Sequence, residues 1–554
     1  MINAKIVSSL EKVYVDSAFD SIAALDKISV LKGERLNFQI VYCYDTAEGP
    51  VISDPIRIAP VISGELAGLA SLRAVHHVPV IKATHPGGVD DNYSRTSSGL
   101  YPDILRPMYY GGKFTFAPSV TSSAWVEINI PKDMSAGKYG FVFELFGDDY
   151  GSCRCEIEVE VIDAVLPDED IYFTQWLHTD CLANYYNIEV WSDRHFEIVE
   201  NFVRTARRNG INMILTPIFT PPLDTAVGGE RRTTQLVGVE VREGEYFFDF
   251  TLLDRFIDML DRCGVEYIEF SHLFTQWGAK HAPKIMATVD GTQKKIFGWQ
   301  TDAHGADYVG FLRAFIPALL AHMKKRGDDK RCFFHISDEP HEADEEAYKL
   351  SKAAVADLLE GYTVMDALSN IQFYEKGIIE NPIPASDCIA PFIRANISGL
   401  WTYYCMCQHR GVSNRYHSMP GWRNRSIGMQ MYKYNVVGFL HWGYNFYNNQ
   451  YSADPINPYY EQSCDFAFPS GDAFSVYPDM DGTALESPRL AVFFEALQDI
   501  KAMKLAERLT SHDEVVRAIE DVYGAEITFD TCAKSSGSMH AIRERVNEII
   551  KNNT

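Results

Sequence analysis

The chain has 554 residues, 46% of them hydrophobic and 23% charged, with a formal net charge of −24 at pH 7. That length exceeds what one hydrophobic core holds, so two or three domains are expected. The acidic balance argues against nucleic acid and anionic membranes as partners. No apolar run in the sequence reaches the length of a transmembrane helix.

The cysteines and the N-terminus bear on the cellular compartment. Eleven Cys are scattered without repeated C-x-x-C spacing, and the first five residues, Met1-Ile-Asn-Ala-Lys5, contain no apolar signal-peptide segment. Both features predict reduced thiols and a cytoplasmic location.

Residues 1–166 have the pattern of an all-β domain. Alternating apolar and polar residues predict strands at residues 36–42, 124–130, 139–146 and 153–162, separated by clusters of Pro, Gly and Asp. We expect these strands to form an N-terminal β-sandwich.

Residues 167–486 alternate between strand-like and helix-like segments. Eight strands are predicted, at residues 172–177, 211–215, 267–273, 332–337, 362–367, 388–393, 400–405 and 436–442. Five helices are predicted between them, at residues 193–208, 251–263, 308–325, 345–359 and 423–434. This succession of βα units predicts a (β/α)8 barrel of the TIM type as the catalytic domain.

A long segment rich in aromatic residues, Asn and Pro follows the eighth strand and extends to about residue 485. Segments of this length without secondary structure are usually functional. Residues 487–554 form a predicted C-terminal helical extension, with helices at residues 488–505 and 538–551. The predicted fold class is therefore a multidomain β plus α/β protein.

The fourth predicted strand ends in the stretch His335-Ile-Ser-Asp-Glu-Pro-His341. Asp338 and Glu339 lie where the strand enters a βα turn, which is the end at which α/β barrels carry their chemistry. Pro340 predicts that Glu339 is extended and that the strand ends there. Two crowded carboxylates raise the pKa of one of them, as a general acid working near neutral pH requires. Asp-Glu-Pro is also ordinary loop and helix-start sequence, so this stretch alone does not decide.

The ends of four other strands carry polar and aromatic side chains. These residues are His178, Asp180, His272, Trp277, Tyr403, Trp442 and Asn445. Trp and Tyr rings supply stacking surfaces for a pyranose, and Asn, His and Asp supply partners for its hydroxyl groups. Each polar residue alone has the alternative explanation of a satisfied buried group. Together at one face of a barrel, they predict a carbohydrate site.

A metal site is a competing interpretation of the same stretch. His335, Asp338, Glu339 and His341 are suitable ligand types, but strand geometry splits them between two faces. The sequence also has no glycine-rich phosphate loop and no G-x-S-x-G nucleophile elbow. We therefore predict neither a metal nor a cofactor.

Residues 335–340 resemble the catalytic strand of glycoside hydrolase family 123 and of the related domain of unknown function 4091. The resemblance runs over most of the chain, and the order and spacing of its segments make it specific. The other similar segments are Gly33-Glu-Arg-Leu-Asn-Phe-Gln39, Pro131-Lys-Asp-Met-Ser-Ala-Gly-Lys-Tyr139, residues 185–186 and 191–195, Trp401-Thr-Tyr-Tyr-Cys405, Gly438-Phe-Leu-His-Trp442 with Asn445, Gly471-Asp-Ala-Phe-Ser-Val-Tyr-Pro478, and Arg489 with the residue after it.

The resemblance implies an enzyme that hydrolyses β-linked N-acetylgalactosamine in an oligosaccharide or glycoconjugate. It implies a retaining, substrate-assisted mechanism, in which Glu339 is the general acid and base and Asp338 orients the 2-acetamido group. An ordinary retaining enzyme holds two carboxyl groups about 5 Å apart on opposite sides of the cleaved bond. Two neighbours on one strand end would not easily take those positions. An adjacent pair therefore suits the substrate-assisted mechanism. The resemblance further implies that Tyr403 and Trp442 form the acetamido pocket. The residues expected to contact the sugar ring are His178, Asp180, His272, Trp277 and Asn445.

Two alternatives remain open from the sequence. One is a barrel glycosidase acting on a sugar without an acetamido group, with a nucleophile from another strand such as Glu269 or Asp366. The other is a catalytically silent carbohydrate-binding protein that keeps the fold. The oligomeric state also stays open, and a homo-oligomer is compatible with the sequence.

Overall fold

The computed structural model describes residues 1–47, 49–108, 111–169 and 171–554. Eleven described strands precede residue 166: β1 (Ile2–Ser8), β2 (Lys27–Lys32), β3 (Arg35–Tyr44), β4 (Ile56–Ile58), β5 (Pro60–Ser63), β6 (Ala70–Val80), β7 (Gly99–Pro107), β8 (Phe114–Phe116), β9 (Thr121–Asn129), β10 (Gly137–Phe146) and β11 (Ser152–Val165). One sheet has the order β1-β3-β9-β6-β7, and a second has the order β2-β11-β10-β5.

The two N-terminal sheets share a core of alternating apolar side chains. Phe141 and Phe143 of β10 and Val159 of β11 are fully buried, because alternate residues of a strand point to the same face. Across this core, the ring of Phe38 on β3 contacts the ring of Phe141, with centroids 5.3 Å apart. The alternation that predicts strands in this region therefore also builds its core.

Fourteen further described strands follow: β12 (Tyr172–Gln175), β13 (Met213–Thr216), β14 (Gly238–Arg242), β15 (Glu245–Asp249), β16 (Tyr267–Phe270), β17 (Ile285–Val289), β18 (Thr292–Phe297), β19 (Cys332–Phe334), β20 (Thr363–Leu368), β21 (Asn381–Pro384), β22 (Trp401–Tyr403), β23 (Gly438–His441), β24 (Val476–Pro478) and β25 (Ala484–Glu486). Eight of them form one parallel sheet in the order β21-β20-β19-β16-β13-β12-β23-β22. A parallel bridge between Ala385 and Tyr403 joins its two edges. The sheet is therefore a nearly closed barrel.

The sixth strand of this barrel corrects a prediction. Residues 388–393 were expected to form it, but the strand is β21, and a short helix occupies Ala390–Arg394. Pro382 and Pro384 lack an N–H on the side of β21 that faces β22. On that side the next backbone donor is Ser386, whose N–H bonds the carbonyl of Tyr403 at 2.8 Å. Because of the two prolines, the sequence does not predict a strand here. Their missing N–H donors also explain why the barrel does not close with a regular ladder.

The described helices are α1 (Thr179–Tyr185), α2 (Asp193–Arg208), α3 (Thr251–Arg262), α4 (Ala306–Arg326), α5 (Glu345–Val355), α6 (Gln372–Glu375), α7 (Ala390–Arg394), α8 (Gly421–Arg425), α9 (Ile427–Lys433), α10 (Pro488–Leu509), α11 (His512–Tyr523) and α12 (Ser536–Asn553). The five helices predicted between the barrel strands are confirmed, although the last is divided into α8 and α9 at Ser426. Two helices predicted near the C-terminus are confirmed as α10 and α12, whereas α11 was not expected. The four strands β15, β14, β17 and β18 form a separate small sheet inserted in the barrel loops.

Two features of the described chain bear on its chemistry and environment. None of its helices combines the length and hydrophobicity needed to cross a membrane. All eleven cysteines are free.

Candidate active site

Asp338 and Glu339 lie just beyond the end of β19, and Glu339 has an unusual backbone conformation. Its φ is +44°, in the left-handed region that side chains rarely adopt. The prediction that Pro340 holds Glu339 extended is therefore wrong. Its N–H donates to the carbonyl of Ala367 at 3.1 Å, and its Oε1 accepts a hydrogen bond from the Tyr403 hydroxyl. Backbone strain held in place by such contacts is frequent at functional sites.

A cavity of about 140 Å³ opens beside this pair, at the carboxyl ends of the barrel strands. Its lining residues are Trp176, Leu223, Asp224, Gln276, Trp277, Asp338, Glu339, Ala367, Tyr403, Cys405, Met406, Leu440, Trp442 and Phe468. Seven of the eight barrel strands contribute through their last residues or the segments that follow them. The cavity therefore occupies the position where barrel enzymes bind their substrates.

The carboxyl of Asp338 forms no hydrogen bond with any residue that the structure describes. Burial, followed by the charge of Glu339, raises its pKa well above the ordinary value. Tyr403 is buried as well, and burial and the same glutamate raise the pKa of its hydroxyl. The phenol therefore stays protonated and donates to Glu339.

His335, on the same strand end, is buried with a carboxylate at each ring nitrogen. Its Nε2 lies 2.8 Å from Oε1 of Glu269, and its Nδ1 lies 3.3 Å from Oδ1 of Asp366. Burial alone would lower the pKa of His335, but the bonds to Asp366 and Glu269 raise it to about 10. We therefore assign His335 as an imidazolium at neutral pH.

The two carboxylates beside His335 also organise the surrounding backbone and rings. Asp366 accepts the N–H groups of Ile336 and Ser337 at 3.1 and 3.3 Å, and Glu269 accepts the indole N–H of Trp176 at 2.7 Å. Both carboxylates are fully buried, and neither lines the cavity. Glu269 and Asp366 therefore stabilise the end of the strand and do not face the cavity.

His272 lies beside His335, with ring centroids 4.5 Å apart and planes 23° apart. Both of its nitrogens are buried without a partner among the described residues, and burial lowers its pKa well below the ordinary value. It does not line the cavity, so its expected contact with a sugar stays a prediction. In the described chain, His272, His335 and Asp366 are the one group of three or more His, Cys, Asp or Glu residues whose ligand atoms lie within 4.8 Å of one another. His341, a member of the metal set considered from the sequence, is exposed and apart from them.

His178, Asp180 and Asn445 are brought together, but around Arg231 and away from the cavity. Asp180 pairs with Arg231 through a 2.8 Å bond to its Nε, and Nδ1 of His178 lies 3.0 Å from the same guanidinium. Asn445 bonds the backbone N–H of His178 at 2.8 Å. Burial, followed by the charge of Arg231, lowers the pKa of His178 to about 3. These buried side chains satisfy one another, and their contact with a sugar also stays a prediction.

Tyr403, Trp442 and Trp277, by contrast, line the cavity. The indole N–H of Trp442 donates to Oδ2 of Asp472 at 3.0 Å, and its ring lies 5.3 Å from that of Phe468. Burial raises the pKa of Asp472 to about 7. Trp442 is thus a fixed aromatic wall.

Sequence reasoning missed several cavity residues, of which Asp224 is the most consequential. Burial raises the pKa of its carboxyl to about 6. It follows β13 after a segment that contains Pro217, Pro221 and Pro222. The rule that selects polar residues after strand ends therefore applies to it. The other lining residues outside the predicted set are Trp176, Leu223, Gln276, Ala367, Cys405, Met406, Leu440 and Phe468.

The sequence model of the glycoside hydrolase 123 catalytic domain matches residues 176–506. Among solved structures, a family 123 glycoside hydrolase from Clostridium perfringens, studied for glycolipid glycan hydrolysis, is 16% identical. Its match covers 100% of this chain and 98% of that chain, with a TM-score of 0.73. No curated protein matches the chain.

Two other solved structures are similar at lower scores. A glycoside hydrolase candidate from Bacteroides vulgatus is 10% identical over 86% of this chain and 78% of that chain, with a TM-score of 0.31. A family 5 xyloglucanase from Bacteroides ovatus, in complex with a heptasaccharide, is 8% identical over 89% of this chain and 100% of that chain, with a TM-score of 0.27.

Proposed function

Since the chain belongs to glycoside hydrolase family 123, we propose that it releases β-linked N-acetylgalactosamine by a retaining, substrate-assisted mechanism. The oxygen of the sugar's own 2-acetamido group attacks the anomeric carbon in this mechanism. Asp338 orients the acetamido group, and Glu339 is the general acid and base.

The observation that carries this proposal is the placement of Asp338 and Glu339, adjacent in the chain, at one cavity. An ordinary retaining enzyme needs a second carboxyl about 5 Å from the acid and across the cleaved bond. The two barrel carboxylates that the sequence offered for that role, Glu269 and Asp366, are fully buried and do not line the cavity. A nucleophile supplied by the substrate removes the need for either of them.

The pair also supports the proton transfers of the proposed reaction. Burial and the charge of Glu339 raise the pKa of Asp338, so the empty pair retains one proton toward neutral pH. An acetamido N–H that donates to Asp338 favours its ionised form. The proton is then available to Glu339 for the leaving oxygen.

The bonds change in two steps. In the first, the bond from the anomeric carbon to the leaving oxygen breaks, a bond to the acetamido oxygen forms, and Glu339 gives its proton to the leaving group. The negative charge of Asp338 stabilises the resulting oxazolinium. In the second, Glu339 takes a proton from water, whose oxygen displaces the acetamido oxygen and restores the β-configuration. Trp176, Tyr403 and Trp442 supply apolar ring surface in the cavity that suits the acetamido methyl group.

Two finer points belong to the same proposal. The similar Clostridium perfringens enzyme is described in terms of glycolipid glycan hydrolysis, so we propose a glycolipid glycan as the substrate class. We also infer that the nearly closed parallel sheet is a (β/α)8 barrel and that the two N-terminal sheets form a β-sandwich.

Asp224 favours a second candidate function, hydrolysis of a sugar without an acetamido group by two protein carboxylates. Within the described residues, it is the one carboxylate besides the pair that lines the cavity. However, burial raises its pKa to about 6, so it is fully ionised for nucleophilic attack only well above that pH.

A panel of nitrophenyl β-glycosides tests the choice. We expect kcat/KM to be highest on the N-acetylgalactosaminide and very low on the plain galactoside, which lacks the nucleophile. A thiazoline mimic of the oxazolinium should inhibit tightly. Turnover of the galactoside at comparable or higher rates, with no thiazoline inhibition, would favour the two-carboxylate candidate. In that case Asp224→Ala should abolish activity.

A further inference from the structure

Trp277 lines the cavity, and the ring of Tyr451 packs against it. Trp277 is 38% exposed and Tyr451 is 41% exposed. Their ring centroids lie 6.1 Å apart with the planes at 88°. Trp277 follows β16, whereas Tyr451 lies in the long segment between β23 and β24, so the fold brings together two distant parts of the sequence.

Both rings are carried by backbone in an uncommon conformation. The φ angles are +56° at Trp277, +59° at Tyr451 and +53° at Ser452. Bulky side chains rarely occupy this left-handed region, and where they do the surrounding contacts must hold them there. Such conformations concentrate at active sites and ligand clamps.

Hydrogen bonds to Asp224 and Asp338 hold the two rings in place. The N–H of Trp277 donates to the carbonyl of Asp338 at 3.0 Å. The N–H of Tyr451 donates to Oδ2 of Asp224 at 3.0 Å, and the Ser452 hydroxyl donates to the Asp224 carbonyl at 2.9 Å. Asp224 in turn donates its N–H to Oε1 of Gln276, next to Trp277, at 2.7 Å. One continuous set of bonds thus connects the ring pair to the catalytic strand end.

The size of the cavity decides what reaches these rings. Its volume of about 140 Å³ falls below the roughly 300–1,000 Å³ of pockets that enclose a drug-sized ligand. It therefore encloses little more than one sugar ring. Among its described lining residues, Trp277 is the most exposed. A group attached to the enclosed sugar therefore meets solvent-exposed aromatic surface at Trp277 and at Tyr451 beside it.

We propose that Trp277 and Tyr451 form the leaving-group subsite, with the pyranose ring next to the cleaved bond as its ligand and Asp224 as its positioning residue. The assignment rests on the proposed function in that the enclosed sugar is the one released. Aromatic faces pack against the C–H surface of a pyranose. Oδ1 of Asp224, which has no partner in the described chain, offers an acceptor for one hydroxyl of that ring.

Two substrates that release the same sugar test this subsite. One is the methyl β-glycoside, and the other is a disaccharide whose leaving group is a hexose. The wild type should have the higher kcat/KM on the disaccharide. Tyr451→Ala should reduce the ratio of the two values by on the order of tenfold, and Asp224→Ala should reduce it similarly. Asp224→Asn keeps an acceptor for the Tyr451 N–H, so it should retain most of the ratio.

Tyr460→Ala is the matched control, because Tyr460 lies in the same long segment, is 73% exposed and does not line the cavity. Tyr460→Ala should change kcat/KM on neither of the two substrates. The melting temperature of each variant establishes that it is folded. A wild type without preference for the disaccharide would overturn the proposal. Equal losses on both substrates in Tyr451→Ala would also overturn it.

Failure of the proposed function gives a different result. The wild type would then hydrolyse neither acetamido substrate, and the same pair would be prepared with the plain sugar that it does hydrolyse. The ratio is informative on that pair as well, because it depends on the leaving group alone.

Discussion

The hydroxyl of Tyr403 donates a hydrogen bond to Oε1 of Glu339, and it thereby joins the end of β22 to the segment after β19. Hydrogen bonds to charged groups contribute about 1.5–3 kcal/mol. Tyr403→Phe should therefore lower kcat/KM on an unactivated glycoside on the order of tenfold to hundredfold, because Glu339 loses the contact that holds it. Tyr404→Phe is the control, since its hydroxyl bonds Asn424 at 3.0 Å outside the cavity. Equal losses in the two variants would contradict the assignment.

The pH dependence of activity should report the proton that Asp338 and Glu339 share in the proposed mechanism. The reaction needs one proton on the pair: a second would neutralise Asp338, and loss of the last would remove the acid. Burial and the charge of Glu339 raise the pKa of Asp338, so this last proton should leave only well above the ordinary range of an aspartic acid. We expect kcat/KM to stay high toward neutral pH and to fall on the alkaline side.

Asp338→Asn removes the neighbouring charge that retains this proton. Its residual kcat/KM on an unactivated glycoside, whose leaving group needs the proton, should therefore show an alkaline limb at lower pH than in the wild type. The measurement is kcat/KM against pH for both proteins, with circular dichroism at each pH to establish that the fold persists. An alkaline limb at the same pH in both would mean that the pair does not share the proton.

His335 should contribute to stability over a defined pH range. Its pKa is about 10 in the folded protein and about 6.5 in an unfolded chain. A raised pKa stabilises the fold fully below the unfolded value, and this contribution is lost as pH rises through the folded value. The free energy of unfolding should therefore decline between about pH 6.5 and pH 10, and this decline should be absent in His335→Gln.

Truncating the same residue should be severe, because removing one partner of a buried ion pair leaves uncompensated charge. His335→Ala should lower the free energy of unfolding by roughly 3–5 kcal/mol. His322→Gln is the control, since His322 bonds the half-buried Asp254 at 2.7 Å near the surface and should change stability by about 1 kcal/mol or less. Denaturant titrations measure both, and similar values for the two variants would argue against the buried imidazolium.

Chelation should leave activity unchanged, since the carboxylates and the acetamido group supply every group that the proposed reaction needs. The cluster of His272, His335 and Asp366 makes this a real test, because its ligand atoms are close enough together to hold a metal ion. Both nitrogens of His335, however, already face carboxylates. Activity lost in a chelator and restored by a divalent ion would overturn the prediction and identify this cluster as the first site to test.

The order of the barrel strands follows from periodicity because buried parallel strands are short apolar runs between helices. Seven of the eight predicted strands overlap the observed ones. The exception, β21, is held by its neighbours in spite of Pro382 and Pro384. Tertiary contacts outweigh the local preference of proline against a strand there, and no local sequence pattern predicts that outcome.

The positions of Asp338, Glu339 and the aromatic walls beside the cavity were within reach of the sequence, because a strand end in a barrel fixes where its residues lie. The sequence did not show which of the side chains at these strand ends turn into the cavity. His178 and Asp180 follow β12 directly, yet both pair with Arg231, a residue of a later loop. Asp224 and Tyr451 meet across 227 positions. Such partners are fixed by loop conformations that alternation and helical periodicity do not encode.

The division of labour between Asp338 and Glu339 gives the most discriminating prediction. Glu339→Gln removes the acid, so substrates with poor leaving groups should lose most activity, whereas a nitrophenolate leaves with little protonation. Asp338→Asn should lower kcat/KM on activated and unactivated substrates by similar factors, because the acetamido group needs its carboxylate whatever the leaving group. Loss of an electrostatic contact of this kind lowers the rate on the order of hundredfold or more.

Two measurements decide the roles: kcat/KM of both variants on two leaving groups of different pKa, and the affinity of the thiazoline mimic. The mimic should bind the wild type tightly and Asp338→Asn poorly, because the variant lacks the charge that stabilises an oxazolinium. Greater sensitivity to the leaving group in Asp338→Asn would reverse the two roles. If neither substitution mattered, the pair would be structural, and the free carboxyl of Asp338 beside the cavity would need another explanation.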